Sequence, residues 1–287
     1  MTNANQSTVN GRTHHYHAEA AVLSGHLHLP FEHEIEPQAH TKLPKEGGYF
    51  VDCKECYRLD GLMSFRAGYT HVAGNRSSKP GQGWTTLTTT VIEGLNVLEV
   101  VTADRIVGQI VLDYPLEGYV PAIRFLGTRF ENLRISGCPV VPEFDLNLLG
   151  GKPANDGPYT EDKTLIARVK SHLDRVCEHK ELPAALRERY NRILSASGSP
   201  LEEIECSLVK SVAGAFPGTS HGNVISVPDI GSLELAKLIV KHEDYKRGTN
   251  IPRKTTVKLT MIDFHFGCVI SGGSSFGTGD ANGGTMP

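Results

Sequence analysis

Apolar and polar residues alternate with a period of two along most of the chain, the spacing that sends successive side chains to opposite faces of a strand. In residues 16–29, Leu23, Leu27 and Leu29 fall on one face and Val22, His26 and His28 on the other; Pro30 and Pro37 end the run. Residues 49–57 and 62–72 predict two more strands, and the Gly, Ser, Lys and Pro content of 75–83 predicts a loop. Residues 85–92 are a Thr-rich, β-branched run suited to a pleated surface. Residues 105–112 are apolar on both faces, as in a strand covered on both sides. Residues 122–135 read as a strand with Gly127 as a bulge, and Pro139 and Pro142 separate it from a further run at 143–149.

The period then changes. Within 160–179, Leu165, Ile166, Val169, Leu173 and Val176 recur at three- and four-residue spacing, with Thr160 placed to cap an amphipathic helix and Glu161 and Asp162 in its first turn. Pro183 opens a second helix that runs to about Leu194 and stops at Ser197-Gly198. Strand patterns resume at 204–212, 233–242 and 255–270. Strands, then a helical pair, then strands predict a mainly β fold: an antiparallel two-sheet sandwich or distorted barrel with a helical hairpin inserted at about 160–195. Residues 15–270 form a single β-rich domain on this reading. Residues 1–14 read as a flexible arm and 271–287 as a flexible Gly/Ser-rich tail. Both ends hold too little apolar surface to offset an ordering cost of about 1–2 kcal/mol per residue, so both are predicted to be dispensable for folding.

Composition narrows the function classes. The 287 residues carry a net charge of −3, which argues against a basic nucleic-acid binder or a polybasic membrane-surface protein. A hydrophobic content of 39% with 21% charged residues is that of a globular chain, and 30 Gly with 16 Pro supply the turns that many short strands need. With neither a signal-peptide pattern nor a long apolar run in view, a cytoplasmic location and six reduced cysteines are expected. Cys206 and Cys268 are predicted in strand interiors as small buried hydrophobes.

Histidine distribution is the chief candidate chemistry, because seven of the 13 histidines lie between positions 14 and 40. A His-x-His pair on a strand puts both imidazoles on one face, which suits two adjacent ligands of one metal. His26-Leu-His28 followed by Glu32 gives H-x-H-x₃-E, and Gly68 through Asn75 gives G-x₂-H-x₃-N around His71. Together these segments resemble the ligand-bearing parts of the two cupin motifs, a resemblance that implies a metal held by His26, His28, Glu32 and His71.

Other motifs are thinner. Cys53 and Cys56 have C-x₂-C spacing, but both flanks favour strand and no second ligand pair follows, so they read as two thiols at a strand turn. Gly218-Thr-Ser220-His221-Gly222 fits G-x-S-x-G, yet the β-branched residues after it leave no helix to build a nucleophile elbow. Asp280-Ala-Asn282-Gly283 starts like a calcium loop without a later carboxylate, and Arg124, Arg129 and Arg134 lack the aromatic platform that RNA binding uses.

Two readings follow. The first is a non-catalytic, β-rich interaction or self-assembling protein whose partner is itself or another protein, with no nucleic acid, membrane or cofactor. The second is a cupin-like metal-dependent enzyme or metal-binding protein that uses a divalent transition metal at the histidine cluster.

Overall fold

The computed structural model describes residues 8–9, 11–29, 32–59, 61–180, 182–195, 203–244, 253–267 and 271–286. Among the described residues the fold is mostly β, with two large antiparallel sheets, two α-helices and no closed barrel, so of the two predicted architectures the sandwich with a helical insertion is the one formed. In the first sheet the strands Arg12–Leu29, Ser271–Met286, Lys254–Phe266 and Gly231–Glu243 lie side by side in that order. In the second, Val101–Pro115, Gln82–Val97, Met63–Arg76 and Gly48–Leu59 do the same.

The predicted tail is corrected, and so is the described part of the predicted arm; residues 1–7 and 10 lie outside the described residues. Ser271–Met286 is an interior strand of the first sheet, and it pairs with Arg12–Leu29 from Thr13 opposite Met286 to Leu29 opposite Ser271. The two ends thus order each other. His14 is fully buried, stacked on Trp84 at 5.0 Å between ring centroids and hydrogen-bonded through Nδ1 to Thr285 Oγ1 at 3.0 Å. The C-terminal strand needs little apolar content because its glycines pack backbone against the second sheet, where Gly279 meets the methyl of the buried Thr88 and Gly277 meets the hydroxyl of the buried Thr90.

The alternation along these strands slips by one residue along a single row. Val22, Gly277, Met261 and Ala236 stand level across four neighbouring strands, and Gly277 (φ +65°) and Ala236 (φ 45°) leave the extended region there. On one side of the row Ala18, Ala20 and Val22 are buried; on the other, Leu23 and Leu27 are. Hence Leu23 and Leu27 lie in the core, whereas Leu29, at the end of its strand, is exposed.

Helix α1 (Lys163–Cys177) and helix α2 (Ala184–Ser195) form the predicted hairpin. Leu165, Val169, Leu173 and Val176 make the buried stripe of α1. Its cap is Asp162, not Thr160: the Asp162 carboxylate accepts from the N–H groups of Thr164 and Leu165, while Tyr159–Glu161 is a turn of 3₁₀-helix. The run at 122–135 breaks into Ala122–Arg124, Arg129–Glu131 and Arg134–Ile135, because Gly127 and Asn132 take positive φ and turn the chain.

Candidate functional site

The slip of alternation decides which side chains reach the outer face of the first sheet, away from the second. Beyond the row at Val22 this face carries Ser24, His26 and His28 on the first strand and Ser275 on the last; Asp263, His265 and Glu234 lie on the two strands next to it. His26 and His265 are both ladder partners of Gly273, so they flank a position without a side chain.

Three of the four residues implied by the cupin-like motifs come together. The His26 and His28 rings lie 4.6 Å apart, and His26 Nε2 donates to Glu32 Oε1 at 3.2 Å. One donor atom from each of His26, His28 and Glu32 falls within 4.8 Å of the others, at a solvent-exposed place. His71 does not join them. It sits in the second sheet, where Gly68 approaches Val22 and Thr70 bonds to Thr41, so the alternate residue His71 points away from the first sheet and packs on Tyr49 at 4.4 Å. Burial lowers its pKa. The four-ligand set therefore fails for a topological reason: the two motifs occupy different sheets and turn their imidazoles to opposite outer faces.

A second cluster was not legible in sequence. Glu234, 1% exposed, accepts hydrogen bonds from Tyr190 Oη at 2.8 Å and His265 Nε2 at 2.8 Å and pairs with Arg189 from α2. Lys237 lies 3.2 Å from Asp263 and 3.7 Å from Glu205, and Arg189 Nε lies 2.9 Å from Glu205. Burial by itself would raise the Glu234 carboxyl. The His265 hydrogen bond, the Lys237 and Arg189 charges and the Tyr190 hydroxyl outweigh it and hold the group down to about 2. Burial raises Glu205 in spite of the same cations. Arg189 and Lys237 offset two of the three carboxylates, Glu234, Glu205 and Asp263, so the cluster ties α2 to the sheet through built-in ion pairs.

The third feature is an edge. Gly48–Leu59 ends its sheet, pairs only with Met63–Arg76 among the described strands and is exposed along most of both faces. It carries Tyr49 (66% exposed), Phe50 and Val51 (61% exposed). Cys53 and Cys56 lie exposed within this continuous strand, not at a strand turn, and Cys56 takes φ 51° as a local irregularity. Ser220 lies in the short strand Thr219–His221, which turns directly into Val224–Val227; no helix follows it. Asp280 belongs to the C-terminal strand and pairs with His17 at 3.3 Å.

Residues 14–241 match the family model described as a domain of unknown function, DUF8256. The chain belongs to that family. No curated protein and no solved structure matches it. The DUF8256 segment ends at position 241, so the strands Lys254–Phe266 and Ser271–Met286, which fill the middle of the first sheet here, lie outside it. No helix among the described residues is long and apolar enough to cross a membrane.

Proposed function

We propose that this DUF8256 protein is a non-catalytic, self-assembling β protein that joins copies through the edge strand Gly48–Leu59. The observation that carries the reading is that strand: 12 residues long, exposed on both faces, and opened by Tyr49, Phe50 and Val51. An unpaired edge of this length is a template for another strand, which proteins otherwise blunt or cover. The Cys53 backbone N–H has the Asp52 carboxylate at 2.9 Å as its acceptor, a local bond that a partner strand's carbonyl can replace.

Charge selects a second copy as the partner. In an antiparallel two-fold pairing centred on Cys53, Asp52 of each copy faces Lys54 of the other, so the contact contains two opposite-charge pairs and no like-charge pair at those positions. Sedimentation of the full chain at tens of micromolar tests the reading. The wild type should run as a dimer or larger. Asp52→Lys and Lys54→Asp should each shift the mass to monomer, and the double exchange should restore it. A monomeric wild type, or single variants that keep the wild-type mass, would overturn the proposal.

A further inference from the structure

We infer that His26, His28 and Glu32, with Glu34 as the adjacent carboxylate, form a surface site for one divalent transition metal ion of the zinc, cobalt or nickel class. The strand supplies the first two ligands, since positions 26 and 28 share a face and their rings stand 4.6 Å apart. Glu32 reaches back to His26 at 3.2 Å. Glu34 is the direct cross-strand partner of His26 in the His33–Gln38 ladder, so its carboxylate starts on the same face. A tetrahedral ion about 2.1 Å from each donor spaces its ligand atoms about 3.4 Å apart. The three donors already lie within 4.8 Å of one another on exposed side chains, so small rotations about their own bonds close the site.

Electrostatics separates this cluster from its neighbour across Gly273. The acids of the Glu234 group have Lys237 and Arg189 within ion-pair distance, and an added cation there would meet two positive charges. From Thr13 to Thr41 the chain has neither Lys nor Arg, while Glu32 and the cross-strand Glu34 add negative charge beside the imidazoles. Two imidazoles with carboxylates favour borderline transition metals over magnesium or calcium, which take all-oxygen sites. The ligand set differs from the one the sequence motifs implied, with Glu34 in place of His71, and it lies open on a sheet face.

The test is titration of the full-length, metal-stripped protein with Co²⁺, followed by its visible absorption, and with Zn²⁺ by calorimetry. One ion per chain is expected. His26→Ala and His28→Ala should each weaken binding by at least about ten-fold, Glu34→Gln by several-fold, and His71→Ala not at all. All four substitutions should leave the far-ultraviolet circular dichroism and the melting temperature intact. Absence of stoichiometric binding by the wild type, or full binding by both His26→Ala and His28→Ala, would overturn the site. Loss of binding in His71→Ala would also overturn it. The site stands apart from the assembly reading: Lys54→Asp should bind metal as the wild type does, whatever its mass.

Discussion

Gly279 lies directly against Thr88: a Cβ on the glycine would stand 2.8 Å from the threonine methyl carbon. The C-terminal strand and the Thr-rich strand of the second sheet thus meet with a backbone on one side and a methyl group on the other. Gly279→Val should overpack this contact and cost about 1–3 kcal/mol in denaturant unfolding. Thr88→Ser, which deletes that methyl, should recover part of the loss when combined with Gly279→Val, a coupling that a double-mutant cycle will read directly.

Removing residues 267–287 should unfold the protein. The deletion takes an interior strand from the first sheet, exposes the ladder edges of Arg12–Leu29 and Lys254–Phe266, and removes the buried Phe276 and Ala281 from the core. Loss of the cooperative melting transition is the expected outcome. A truncated chain that melts at the wild-type temperature would show that the strand adds nothing to the fold.

Glu234→Gln should cost about 3–5 kcal/mol, because it leaves the half-buried Arg189 and Lys237 without their central counter-charge. The sign of the pH effect follows from the lowered pKa. The stabilisation from the ionised Glu234 is complete above its ordinary value of 4.5 and is lost as pH falls from there toward about 2. Wild type should therefore lose stability over that range, and the variant should show a flatter curve.

His14 gives a second acid-sensitive element at higher pH. Burial, with the neighbouring His15, lowers its pKa from 6.5 to about 3, so the folded state holds the neutral ring while the unfolded chain takes up a proton. Its contribution to stability is full above pH 6.5 and declines as pH falls from 6.5 toward 3. His14→Gln should be less stable at pH 8 yet lack this decline, as chemical denaturation at a series of pH values will show.

Thiol accessibility should divide the cysteines. Cys53 and Cys56 are exposed on the edge strand and should react at once with a bulky reagent in the monomeric Lys54→Asp variant. Cys206 is buried in Glu203–Ser207, where burial pushes its thiol pKa well up, and it should react only on unfolding. Cys268 lies outside the described residues.

What near neighbours in the chain dictate was legible from the residues. Period-two alternation placed most of the long strands, the three- and four-residue spacing of Leu165, Val169, Leu173 and Val176 placed α1, and His-x-His placed two imidazoles on one face of a strand. Each of these depends only on near neighbours in the chain. Tertiary structure alone decided the rest. A Gly/Ser-rich segment became an interior strand because a facing row of threonines accepts its bare backbone, a fit between positions nearly two hundred residues apart. His71 parted from His26 because its strand joined the other sheet. Glu234 became a buried anion because Arg189 and Tyr190 of a distant helix, with Lys237 and His265, came to surround it. Burial of that kind is a property of the packed sheets and not of any window of sequence, so no local pattern of apolar and polar residues could have shown it.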